Sequence, residues 1–137
     1  AAWVLELVCL ENLDYLLPHL DFFTSQLGSV KFDSAIRPVS KICMLLAQAY
    51  HGKKPSLVQD TLSQEHIDRC IEAGFDWLIT QQKVAVKAYT MEALYLFGKE
   101  RDWVHPELDI IIRENMAYES CGYIARGKKI LGLINPD

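Results

Sequence analysis

Residues 13–23 read LDYLLPHLDFF and residues 101–111 read RDWVHPELDII. Laid on each other at an offset of 88, they pair Asp14 with Asp102, Tyr15 with Trp103, Leu16 with Val104 and Pro18 with Pro106. The match continues through Leu20 with Leu108, Asp21 with Asp109, Phe22 with Ile110 and Phe23 with Ile111. A proline inside a helical pattern removes an N–H and crowds the preceding turn. At the first turn of a helix that N–H has no partner to lose. Two prolines in one repeated context, each after an acidic-aromatic turn, therefore predict two helix starts. The same offset carries residues 1–10 onto residues 89–98 without a gap. It equals two units of about 44, within the roughly 40 to 47 residues of helix-pair repeats.

Periodicity supplies the other helices. Leu20, Phe23 and Leu27 continue one face beyond Pro18, and Gly28 closes that segment. Asp33 is the expected N-cap of a helix whose stripe is Ile36, Val39, Cys43, Leu46 and Tyr50, widened by Ile42, Leu45 and Ala49. A helix that apolar packs on two sides. Residues 51–60, HGKKPSLVQD, read as an irregular insertion. Ser63 then caps a helix with stripe Ile67, Cys70, Ile71, Phe75 and Leu78, with Leu62 and Ile67 placed as a hydrophobic staple. Helices follow at 83–98, with Val84, Ala88, Met91, Leu94 and Tyr95 on one face, and at 105–116 and 118–134. The expectation is all-α, about seven helices in antiparallel pairs and no strand, in a single domain over 1–137.

With 137 residues, 50% hydrophobic and 23% charged, the chain can bury roughly 65 to 70% of its unfolded surface. The longest apolar run, AAWVLELVCL, is about half a bilayer span and contains Glu6, so no membrane segment is expected. The chain opens without Met inside a helical pattern, which points to further residues upstream. Cys9, Cys43, Cys70 and Cys121 are far apart in apolar contexts and form neither CxxC pair nor zinc knuckle. Buried thiols in a reducing, cytoplasmic setting are expected. A net charge of −4 gives no general attraction to nucleic acid.

LLPHLDFF resembles the first-helix pattern of HEAT repeats, LLPxLxxLL. DSAIRPVSKICMLLA and QKVAVKAYTMEALYLFG resemble their second helices, where an aliphatic-basic pair precedes small and apolar residues. The basic positions are Arg37, Lys87 and Arg126. The resemblance covers nearly the whole chain and implies a right-handed α-α superhelix. The middle unit departs from it, with no proline at its first helix and the insertion at 51–60. The chain is also similar in flavour to small Bacteroidetes HEAT-like proteins, some of which carry the name adenylosuccinate lyase. The Ser- and Gly-rich signature loop of that lyase superfamily is not in this sequence.

A repeat stack leaves an extended surface that commonly binds another macromolecule. A basic series lies on the second helices: Arg37 with Lys41 and Lys83 with Lys87 at i, i+4, and Arg126 with Lys129 at i, i+3. It is either a positive stripe for phosphate or an acidic partner, or a set of ion pairs with acids such as Asp33, Asp76 or Glu119 that locks adjacent repeats. His19, His51, His66 and His105 lack metal-ligand spacing and read as surface or capping residues. The repeated Asp14, Asp21, Asp102 and Asp109 suit capping and helix-dipole compensation. Trp103, matched by Tyr15, suits packing between repeats. No phosphate loop, nucleophile elbow or Cys/His dyad is visible, so neither a catalytic residue nor a cofactor is expected. Two readings stand: a non-catalytic scaffold for a protein or peptide, and a nucleic-acid-binding protein resembling the HEAT-like DNA alkylation repair glycosylases.

Overall fold

The computed structural model describes residues 2–136; Ala1 and Asp137, the ends of the expected domain, lie outside them. The described residues are helical, with no strand. α1 (Ala2–Glu11) is followed by a 3-10 segment, Leu13–His19, that runs into α2 (Leu20–Ser25). Then come α3 (Asp33–Tyr50), α4 (Leu57–Thr61), α5 (Gln64–Ile79), α6 (Val84–Phe97), α7 (Val104–Asn115) and α8 (Cys121–Ile134).

The helices form two layers. In one, α3 packs on α1 and on α6, and α6 packs on α8. In the other, α2 packs on α5, while α5 and α7 lie against α6 and α7 also meets α8. The central α6 therefore touches α3, α5, α7 and α8, which is why Met91, Leu94 and Phe97 are fully enclosed.

The offset of 88 holds in the structure. It carries the start of α3 at Asp33 onto the start of α8 at Cys121, and the start of α2 at Leu20 onto the buried Leu108 of α7. Burial follows the same register. Leu16 and Val104, Cys9 and Phe97, Ile42 and Ile130, and Cys43 and Leu131 are buried pairs, while Tyr15 and Trp103, and Phe22 and Ile110, are exposed pairs. Side chains 88 residues apart thus share a burial class at these positions, although α2 packs on α5 while its counterpart α7 packs on α6 and α8.

The two prolines differ in detail. Pro106 is the third residue of α7, in its first turn. Pro18 instead lies inside the 3-10 segment, as its penultimate residue, two residues before α2. Asn12 accepts the Asp14 N–H at 3.0 Å and starts a tighter i to i+3 winding, in which the fixed φ of proline is equally at home.

Other boundaries also move. Residues 51–60 are expected to be irregular, yet 57–60 belong to α4, so the described residues hold eight α-helices instead of seven. Ser56 Oγ accepts the Val58 N–H at 3.0 Å and Gln59 Oε1 accepts the Ser56 N–H at 3.3 Å, a capping box written as S-x-x-Q. Asp33 is the first residue of α3 rather than its N-cap, which is Phe32. α8 begins at Cys121 rather than 118, because Ser120 accepts the Tyr123 N–H and ends the preceding turn. Val84, expected in the core, is exposed at the head of α6. Among the described residues no helix is long and apolar enough to cross a membrane.

Candidate partner-binding surface

The six basic residues do not form one open stripe. On α3, Lys41 pairs with Glu6 of α1 at 3.3 Å and lies over the Tyr89 ring of α6 at 5.8 Å. On α6, Lys87 is buried, with 7% of its side chain exposed; it donates to Glu119 at 3.1 Å and sits 5.8 Å from the Tyr123 ring. On α8, Arg126 pairs with Glu92 of α6 at 3.3 Å, and the Gln48 amide of α3 donates to the same carboxylate. These three cations each join neighbouring helices, and Glu92 ties α3, α6 and α8 together. Lys87 and Lys83 do not share an exposed face, because Lys83 is the N-cap of α6 and lies at the surface.

Arg37, Lys83 and Lys129 make no ion pair among the described residues. Arg37 and Lys83 line a cleft of about 680 Å³ with Trp3, Glu6, Asp33 and Pro38. Pro38 lies inside α3 and has no N–H to return to the Ser34 carbonyl, which belongs to the same cleft. Two carboxylates stand beside two cations there, so the cleft is mixed in charge. Lys129 lines a smaller cleft of about 270 Å³ with Gln48, His51, Glu92 and Tyr95. Burial lowers the His51 pKa; Glu100 opposes that shift and Lys99 adds to it.

Two of the histidines, His66 and His105, have local structural partners. His66 completes a capping box: its N–H is accepted by Ser63 Oγ at 3.1 Å, and its Nδ1 accepts the Ser63 N–H at 3.0 Å. That leaves Nε2 to meet Asp21 Oδ1 at 2.5 Å, linking α5 to α2. His105 Nε2 lies 2.7 Å from the Tyr95 carbonyl oxygen, and the two rings stack. No three His, Cys, Asp or Glu side chains are grouped to hold a metal ion among the described residues. Cys9, Cys43 and Cys70 are buried; Cys121, expected to be buried, is exposed at the head of α8. Cys43 and Cys70, distant in sequence, share a hydrogen bond that, with burial, holds the Cys43 thiol well above its usual range.

Trp103 stacks on Phe75 of α5 with ring centroids 5.6 Å apart, so it does bridge α5 and α7, yet it remains 56% exposed. The two rings line a third cleft, of about 550 Å³, that sequence reading missed. Its signal was present: Asp68, Glu72 and Asp76 recur every fourth residue of α5, beside Ile71, Phe75 and Ile79 with the same spacing. That pattern marks a two-sided ridge only when the neighbour of α5 is known. Comparison of the chain with protein-family models, curated proteins and solved structures finds no match.

Proposed function

We propose that the chain is a non-catalytic, HEAT-like helical-repeat module, a right-handed α-α superhelix that serves as a scaffold for a protein or peptide partner. The observation that carries this reading is the placement of large exposed apolar side chains in the clefts between helices. Trp3 lies in the cleft beside α3, Leu133 in the cleft beside α6, and Ile79 and Trp103 in the cleft between α5 and α7. Exposed aromatic and aliphatic groups in concave sites are the usual anchors of protein partners. Phosphate would need free cations: Lys41, Lys87 and Arg126 are held by carboxylates of the chain itself, and Arg37 and Lys83, unpaired among the described residues, share their cleft with Glu6 and Asp33.

A selection from a random peptide library displayed against the immobilised chain tests this. The expected result is enrichment of a recurring apolar pattern whose synthetic peptides bind in solution at micromolar concentration. Failure of every enriched peptide to bind the free chain in solution would overturn the scaffold reading.

A further inference from the structure

The groove between α5 and α7 has an apolar floor and a rim of one charge. Ile71, Phe75, Trp103 and Ile111 form the floor, with Ile79 at one end. Asp68, Glu72, Asp76 and Glu107 stand around it, and no lysine, arginine or histidine lines it. Arg101 reaches Asp68 with Nε at 2.7 Å and so neutralises one end. Glu72, Asp76 and Glu107 make no ion pair among the described residues. The adjoining cleft between α2 and α5 shares Glu72 and Asp76, which stand on the crest of α5 between the two, and adds Thr24, Ser25 and Arg69, whose guanidinium donates to Thr24 and Glu65 rather than to either groove carboxylate.

Three uncompensated carboxylates beside a stacked Phe75–Trp103 pair ask for a ligand with cations next to apolar groups. Carboxylates that meet such cations at the dry edge of an apolar contact fix its register and exclude acidic competitors. The aromatic faces add attraction for a cation lying over them. From Asp68 to Ile79 the ridge of α5 runs about 16 Å, which is three turns of a partner helix. A second copy of this chain fits poorly on charge, because the net charge is −4 and α1, the helix with the largest exposed apolar face, ends on the exposed Glu11.

Resting on the scaffold reading above, we infer that the α5–α7 groove is a docking site for a basic amphipathic segment of a partner protein, its apolar side chains on Phe75 and Trp103 and its lysines or arginines against Glu72, Asp76 and Glu107.

The probe is a fluorescein-labelled 14-residue amphipathic peptide of leucine and lysine, with a counterpart in which glutamate replaces every lysine. Anisotropy titrations of the full chain are expected to show binding of the lysine peptide and at least tenfold weaker binding of the glutamate peptide. Trp103→Ala is expected to weaken the lysine peptide at least tenfold, and so is the double change Glu72→Lys with Asp76→Lys. The charge variants alter exposed positions only, so they keep the test open if Trp103→Ala unfolds. Phe22→Ala, exposed on α2 and outside the lining of the clefts described above, is expected to leave the affinity unchanged. Equal binding of both peptides, or undiminished binding by the charge variant, would overturn the groove while leaving the scaffold reading to its own selection. Sedimentation showing a dimer that the charge variant dissociates would also overturn it, since the groove would then hold a second copy.

Discussion

Lys87 of α6 donates to Glu119, ahead of α8, at 3.1 Å, with the lysine almost wholly enclosed. A charge taken this far from water depends on its partner, because the cost of desolvation falls on whichever group is left alone. Lys87→Met removes the cation and leaves Glu119, 23% exposed, without it. The expected loss is about 2 to 3 kcal/mol, below the ~3 to 5 kcal/mol of a fully buried pair because water still reaches Glu119. Adding Glu119→Gln should restore most of it. Urea unfolding of the single and double variants checks both statements.

Two glycines of α8 have opposite consequences. A Cβ at Gly127 would lie 2.9 Å from Ile112 Cγ2, and Ile112 is fully buried and cannot retreat. Gly127→Ala should therefore cost about 1 to 3 kcal/mol through overpacking of α7 on α8. At Gly132 nothing lies within 4 Å of the added carbon. Gly132→Ala should raise stability by about 0.5 to 1 kcal/mol through helix propensity alone. Thermal melts of the two variants should move in opposite directions.

His51 makes stability depend on pH in a defined direction. Burial depresses its pKa from the ordinary 6.5, so the unfolded chain binds the proton more readily than the folded one. Its contribution is present above about pH 6.5 and is lost as pH falls toward the depressed folded value. His51→Phe, which preserves the edge contacts with Tyr50 and Phe97, should flatten the change in unfolding free energy between pH 7 and pH 5.

Thiol reactivity should separate the cysteines. Cys121 is exposed, whereas Cys9, Cys43 and Cys70 are buried, and the Cys43 thiol is further held protonated by its contact with Cys70. One equivalent of an aromatic disulfide reagent should react rapidly with the native chain, and Cys121→Ser should abolish that phase. The other three thiols should respond only on unfolding.

Much of the fold was legible because proline and burial are both periodic signals. The paired Pro18 and Pro106 marked equivalent places, and Ser63 announced the start of α5 in its hydroxyl. The 3-10 winding before Pro18 was not legible, since i+3 and i+4 hydrogen bonding share nearly the same apolar spacing. α4 was hidden by the Gly-Lys-Lys-Pro run before it, although its Ser56 and Gln59 box stood in plain view. The basic row was readable as residues but not as geometry. Lys87 pairs with Glu119, one of the acids expected for it, while the partners of Lys41 and Arg126 lie on helices whose adjacency only packing decides. The same limit hid the α5–α7 groove: Trp103 is nearly 30 residues beyond Phe75, and their stacking is a tertiary fact.

Whether the second-helix cations join the chain to itself or to a polyanion is decided most directly by a fluorescence titration with plain and alkylated duplex DNA at about 50 and 200 mM salt. Phosphate contacts reveal themselves as a steep fall of affinity with salt. With Lys41, Lys87 and Arg126 already paired, and Arg37 and Lys83, unpaired among the described residues, set beside Glu6 and Asp33, no binding is expected at either salt concentration. Micromolar or tighter binding with a steep salt slope, lost in Arg37→Glu with Lys83→Glu, would contradict the scaffold reading and make this a nucleic-acid surface.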